Sequence, residues 1–64
     1  MADHTFTYRG KSYDIEDRGE FFHVFEDGTE ICMYCKATDR AAMEPSSLSK
    51  RGINELLNYL CSLS

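Results

Sequence analysis

The sequence has no apolar run near the ~18 residues that a membrane-spanning helix needs, and its first residues, MADHTFTY, lack the apolar core of a signal peptide. It has three cysteines, an odd number that fits poorly with the disulfide framework of a small secreted domain. It contains no Walker-type loop, no GxGxxG and no HExxH pattern. These absences predict a cytoplasmic protein with reduced thiols, no cofactor and no membrane contact.

Basic residues are also scarce, with seven lysines and arginines against eleven aspartates and glutamates and a net charge of −4. Residues 1–35 hold eight of the acidic residues and only three of the basic ones. Because nucleic-acid binding depends on basic contacts, this balance argues against a direct nucleic-acid interface. It favours a protein partner with a basic surface, or a surface whose charge only keeps the chain soluble.

The length of 64 residues bounds the fold to one domain spanning residues 1–64. A domain of this size buries roughly 60% of the surface that its unfolded chain exposes, so it has room for one sheet face and one helix. An enclosed active site is hard to fit into such a domain. We therefore expect a non-enzymatic protein that works by presenting a surface.

Three glycines recur at nine-residue intervals, at positions 10, 19 and 28, and each follows a charged residue. Between them lie short runs of aromatic and β-branched residues, a pattern typical of β-hairpins. The pattern predicts strands over about 5–8, 11–16, 20–26 and 29–36. A loop over 37–47 should follow, in which Thr38 could cap a single turn over residues 39–43 or the chain could simply cross to the helix.

The C-terminal part carries apolar residues with helical spacing and predicts a helix from about residue 48 to 62. Ser47 or Ser49 is its expected cap. The chain is thus an α+β protein: a four-stranded antiparallel β-meander with one C-terminal α-helix packed on one face. This outline broadly resembles small DNA-binding modules of the integrase-arm type, but those bind through a basic sheet, so the resemblance implies the shape alone.

Two-residue loops at each X-Gly pair would place one apolar row across the sheet, made of Phe6, Tyr13, Val24 and Ile31. The opposite face would then be a mixed one. A bulge at Gly28 would swap the faces of the fourth strand relative to the third, and FFHVF is apolar at both parities, so it does not decide between the two registers.

The regular register predicts an aromatic patch of Phe21, Phe25 and Tyr34 among acidic side chains on the face away from the helix. Exposed apolar patches of this kind usually mark contacts with another molecule. The expected protein-binding residues are Asp14, Glu16, Phe21, His23, Phe25, Glu30 and Tyr34. The alternative is that these aromatics belong to the core through a slipped register.

Two chemical sites follow from the same residues. Cys32 and Cys35 have CxxC spacing, but a zinc site would need Cys61 and a histidine to converge on them. The regular register also aligns Asp14, His23 and Cys32 in one cross-strand row, the order of an acid, a base and a thiol nucleophile. That row would lie on an open face without shielding from water, so we expect neither a metal site nor catalytic residues. The simpler expectation is a buried Cys35 and a half-exposed Cys32.

The sequence therefore predicts a small acidic binding protein, an inhibitor or adaptor. One concrete version is a phage- or mobile-element-encoded antagonist of a basic, nucleic-acid-handling complex. The main alternative is a homodimer joined through the aromatic sheet face, and a zinc-binding module is a weaker one.

Overall fold

The computed structural model describes residues 2–64, which form one antiparallel sheet followed by one helix. The sheet has five strands in sequential order, so it is a meander. The strands are β1 (His4–Tyr8), β2 (Lys11–Asp17), β3 (Phe21–Glu26), β4 (Thr29–Cys35) and β5 (Arg40–Met43). Helix α1 spans Lys50–Leu63. The predicted α+β fold is confirmed, with a fifth strand added to the predicted four.

Two of the hairpins turn as the X-Gly pairs predict. Arg9 and Gly10 have φ values of 51° and 80°, and Asp27 and Gly28 have 51° and 82°. Two consecutive positive φ angles define the type I′ turn, whose twist matches that of the flanking strands. The register of β1 on β2 is the predicted one, with Phe6 opposite Tyr13.

In the hairpin between β2 and β3, the loop lies one residue later than predicted, so the pairing register of the two strands differs from the prediction by two residues. Its loop is Gly19 and Glu20 rather than Arg18 and Gly19, and the Arg18 amide donates to the carbonyl of Phe21 at 2.9 Å. Gly19 therefore holds the first loop position, with a φ of 83°. As a result Val24 lies opposite Ile15 and not Tyr13. Because side chains alternate along a strand, a shift of two residues leaves every side chain on its predicted face.

A bulge between β3 and β4 has larger consequences. Phe25 pairs with Glu30, but the next residue of β3, Val24, pairs with Cys32, so Ile31 is an extra residue without a direct partner. The bulge lies at Ile31 inside the strand and not at Gly28. It turns Cys32 and Tyr34 toward the helix, where both are buried. The predicted faces of this half of β4 are therefore wrong, and Met33 and Cys35 lie on the opposite face.

The core lies between the sheet and the helix. The predicted helical stripe supplies Leu56 and Leu60, which are fully buried, and Ile53, Leu57 and Leu63 pack beside them. Leu48, just before the helix, is also buried, and the strands contribute the other members of the buried cluster: Phe6, Tyr13, Ile15, Phe22, Val24, Cys32 and Tyr34. Ser49 caps α1 by accepting a bond from the Gly52 amide at 3.2 Å. Within residues 2–64, no helix is long and apolar enough to cross a membrane.

Strand β5 lies within the segment 37–47, which was predicted to be a loop. Asp39, at a φ of 54°, closes the connection from β4, and its carboxylate accepts a 2.7 Å hydrogen bond from the Tyr34 hydroxyl. The chain then runs back along β4, with Arg40 opposite Cys35. Thr38 therefore starts no helical turn, and the free edges of the sheet are β1 and β5 rather than β1 and β4.

Candidate protein-binding face

The face of the sheet away from α1 has no element of residues 2–64 packed over it, and we call it the open face. Its residues on the last four strands include three cross-strand rows set by the observed register. The first row is Asp14, Phe25 and Glu30. The second is Glu16, His23, Met33 and Met43. The third is Phe21, Cys35 and Arg40.

The apolar side chains at the centre of this face come from β3, β4 and β5. Phe21, Phe25 and Met33 are half-buried, and Met43 is 41% exposed, the most exposed large apolar side chain in residues 2–64. Directly opposite residues in a sheet have Cβ atoms about 4.5–5.5 Å apart, so Met33 and Met43 are side-by-side neighbours. Together these four residues form one apolar strip across the last three strands, which we call the apolar strip.

Carboxylates border the strip on the side of β2 and at the start of β4. Phe25 has Asp14 on one side and Glu30 on the other, both exposed. The Arg18 guanidinium carbon lies 5.7 Å from the centre of the Phe25 ring, and Arg18 Nε donates to Glu16 at 2.9 Å. This cation–π contact and ion pair hold the edge of the face in one arrangement.

His23 lies at the middle of the open face. Its Nδ1 contacts a carboxylate oxygen of Glu30, and its ring meets that of Phe21 edge-on at 6.4 Å between centres. The imidazole side chain is 16% exposed, whereas that of Glu30 is 36% exposed. A polar imidazole therefore interrupts the apolar strip, and Glu30 fixes its ring orientation.

Six of the seven predicted binding residues are brought together on this face: Asp14, Glu16, Phe21, His23, Phe25 and Glu30. Tyr34 does not lie on this face as predicted, because the bulge at Ile31 buries it in the core at 1% exposure. Burial and its hydrogen bond to Asp39 raise the pKa of the Tyr34 phenol. Its role is to hold the turn before β5.

Sequence reasoning missed Met33 and Met43 on this face. A regular β4 would place Met33 on the same face as Ile31, in the core. Met43 fell in the predicted loop. The double apolar parity of FFHVF allowed a bulge in the partner strand, and so allowed Met33 on this face, but it carried no signal for Met43.

The predicted row of Asp14, His23 and Cys32 is wrong. Asp14 pairs with Phe25, and Cys32 lies on the core face, opposite to that of His23. Burial, with a smaller contribution from the negative charges of Glu44 and Glu30, raises the pKa of the Cys32 thiol to about 11. A thiol in that state is a poor nucleophile, since the thiolate is the reactive form.

The expected burial of the two neighbouring cysteines is also reversed, because Cys35 is half-buried on the open face. The hydroxyl of Thr38 and the backbone N–H groups of Thr38 and Ala37 lower the pKa of the Cys35 thiol. Cys61 is exposed on α1, and all three cysteines are free. In the described part of the chain, no three His, Cys, Asp or Glu side chains are grouped in a way that could hold a metal ion.

No protein-family model, curated protein or solved structure matches the chain.

Proposed function

We propose that the chain is a non-enzymatic protein-binding module that uses the open face against a partner protein with a basic surface. The observation that carries the proposal is the apolar strip of Phe21, Phe25, Met33 and Met43, left without a covering element in residues 2–64. A small domain gains stability by burying such side chains, so leaving them outside the core is consistent with a contact surface.

The charge around the strip supports a basic partner. Asp14, Glu16 and Glu30 flank it against two cations, Arg18 and Arg40, and the whole chain carries −4. An apolar centre with a charged rim is the usual anatomy of a protein interface. Opposite charge on the partner would steer the encounter and fix the orientation. The same charge disfavours direct contact with nucleic acid.

The proposal extends to the role of an inhibitor or adaptor acting in the cytoplasm, where three free cysteines stay reduced. One version is a phage- or mobile-element-encoded antagonist that occupies the basic groove of a nucleic-acid-handling complex. Its support is the acidic charge and the small size of the chain.

The test is affinity capture from lysate of the native host with four baits: the wild type, two open-face variants and a control. The double variant Phe25→Ser, Met43→Ser removes apolar contact, and the double variant Glu16→Gln, Glu30→Gln removes charge. The control Glu55→Gln removes one carboxylate from the exposed surface of α1. We expect a basic protein retained by the wild type and the control and lost from both open-face variants. Equal retention by all four baits would place binding elsewhere.

A homodimer joined through the open face is the second candidate. Its specific support is Met43, which is 41% exposed at the end of the apolar strip and would be buried by a second copy packed on the open face. Light scattering separates the two candidates. The binding-module proposal predicts the mass of one chain for the wild type, whereas a mass of two chains that returns to one in Phe25→Ser, Met43→Ser would favour the dimer.

A further inference from the structure

A shallow cleft of about 290 Å³ lies between the β1–β2 hairpin and the start of α1. Residues at the end of β1 and the start of β2 form one wall, and the residues just before the helix form the other. The lining residues that matter here are Tyr8, Arg9, Lys11, Tyr13, Leu48 and Ser49. The cleft is on the helix side of the sheet, so it is separate from the open face.

Tyr13 is the most informative residue of the cleft. Its side chain is 2% exposed, with its ring packed 6.1 Å from that of Phe6. Its hydroxyl makes no hydrogen bond with any of residues 2–64. In that part of the chain, every side-chain nitrogen or oxygen that is shut off from solvent has a hydrogen-bond partner. The Tyr13 hydroxyl therefore keeps contact with solvent, and Tyr13 is one of the residues that line the cleft.

The beginning of α1 supplies a second set of donors. The first N–H groups of a helix have no partner inside it, and here Ser49 serves only the Gly52 amide with its side chain. Helices usually carry acidic residues in the first turn, which offset the positive end of the helix dipole. The first turn of α1 has none, and instead begins with Lys50 and Arg51.

Ion pairs neutralise only part of the positive charge in the β1–β2 hairpin and at the start of α1. Lys11 pairs with Glu26, which also accepts a 2.8 Å bond from the Ser47 hydroxyl, and Asp27 lies near enough to act on Lys11. Arg9 has no ion-pair partner among residues 2–64, and the same holds for Lys50 and Arg51. An otherwise acidic chain thus keeps one unpaired cation, Arg9, in the lining of the cleft and two more, Lys50 and Arg51, in the first turn of the helix that follows it.

We propose that this cleft binds a small phosphate ester. Its phosphate oxygens accept hydrogen bonds from the Tyr13 hydroxyl and from the N–H groups at the start of α1, and they pair with Arg9. Three terminal oxygens suit donors that converge from a strand, a turn and a helix end. The organic part of the ligand lies against the ring of Tyr8 and the side chain of Leu48.

The test is a titration of the uniformly ¹⁵N-labelled chain with phenyl phosphate, followed by amide chemical shifts. We expect saturable shifts, at millimolar ligand, that are confined to residues 9–13 and 49–52. Inorganic phosphate should shift the same amides with lower affinity, and phenol should not. Equal binding of phenol would overturn the proposal, as would the absence of saturation. Benzoate that binds as tightly as phenyl phosphate would overturn the assignment to phosphate.

Matched variants locate the ligand. Tyr13→Phe keeps the buried ring and removes only the hydroxyl, and we expect it to weaken binding about tenfold, the usual scale for a hydrogen bond to a charged group. Arg9→Gln should weaken binding as well. Arg40→Gln is the control, because it removes an exposed cation from β5 at the far edge of the sheet. Unchanged affinity in Tyr13→Phe, or equal loss in Arg40→Gln, would contradict the proposed site.

Discussion

Gly52 shows how one residue couples a helix to a strand. From the sequence alone, Gly52 is expected to destabilise α1, since glycine costs about 1 kcal/mol relative to alanine inside a helix. The structure gives the reason for it: a Cβ at this position would lie 2.9 Å from Cε2 of Tyr8 and 3.2 Å from Cδ2 of Leu48. Glycine lets the first turn of α1 approach β1 closely.

Gly52→Ala should therefore gain nothing in the wild type and about 1 kcal/mol in a Tyr8→Val background, where the ring is gone. Urea denaturation of the four proteins of this cycle measures the coupling. Equal stabilisation by Gly52→Ala in both backgrounds would show that the Tyr8 ring does not exclude a Cβ.

The thiols of Cys35 and Cys32 should differ in reactivity. Cys35 has a thiol pKa below the ordinary value of 9.0, whereas the thiol pKa of buried Cys32 is about 11. Because the thiolate is the reacting form, alkylation of Cys35 should reach half of its maximal rate at a pH below 9.0. Native Cys32 should stay unmodified until urea is added.

Mass spectrometry of peptides after timed iodoacetamide treatment measures these rates. Thr38→Val is the matched variant, since it removes the hydroxyl that stabilises the Cys35 thiolate and should move the rate profile to higher pH. A profile unaffected by Thr38→Val would contradict this cause.

At the scale of elements, the bulge in β4 decides which residues form the core. Ile31 is the extra residue, so its deletion would restore regular pairing with Cys32 still opposite Val24 and Tyr34 still opposite Phe22. We expect this deletion to fold with the same buried residues and to cost about 1–3 kcal/mol, for the half-buried Ile31 side chain.

Deletion of Asp14 is the control for that experiment. Asp14 is exposed and pairs regularly on both sides, so its removal turns either Tyr13 or Ile15 out of the core. Circular dichroism with urea denaturation should show cooperative unfolding for the Ile31 deletion and none for the Asp14 deletion. Equal loss in both would mean that the bulge position is not the tolerant one.

The same elements show what the sequence could and could not predict. The β1–β2 hairpin was predictable because a two-residue loop at Arg9-Gly10 places Phe6 opposite Tyr13, as observed. The α1 stripe was predictable from its helical period. The bulge was not, because the apolar parity of FFHVF supports either face of β4. Strand β5 was missed because RAAM is short and Thr38 resembles a helix cap.

The residues of the open face were predictable only where the parity of their strand pairing was predictable. The residues on β2 and β3 kept their predicted face, since a register shift of two preserves parity. Beyond the bulge, Tyr34 left the face and Met33 joined it. Local composition thus predicted where the acidic rim lies, whereas the long-range pairing decided the rest of the apolar strip.

At the scale of the whole molecule, two paired carboxylates, exposed Asp17 and half-buried Glu26, link folding to pH. Hydrogen bonding to Lys36 and to the Gly19 amide lowers the pKa of Asp17 below 3.8, and hydrogen bonding to Lys11 and Ser47 lowers that of Glu26 below 4.5. A depressed pKa in the folded state contributes stability above the ordinary value, and this contribution is lost as the pH falls through the folded-state value.

The double variant Asp17→Asn, Glu26→Gln should therefore be less stable at pH 7 than the wild type and should lose less stability on acidification to about pH 3. Urea midpoints at the two pH values measure this difference, with Glu55→Gln as the control for a carboxylate on the exposed surface of α1. A double variant with the acid sensitivity of the wild type would show that these ion pairs do not govern it.

The central claim is that the open face binds another protein. Its most direct test is a ¹³C-methyl spectrum of the methionine-labelled chain, recorded free and bound to the partner that affinity capture identifies. The claim predicts that the methyl signals of Met33 and Met43 shift or broaden on binding, while the amides of α1 stay in place. Unchanged Met33 and Met43 signals, with shifts along α1 instead, would contradict it.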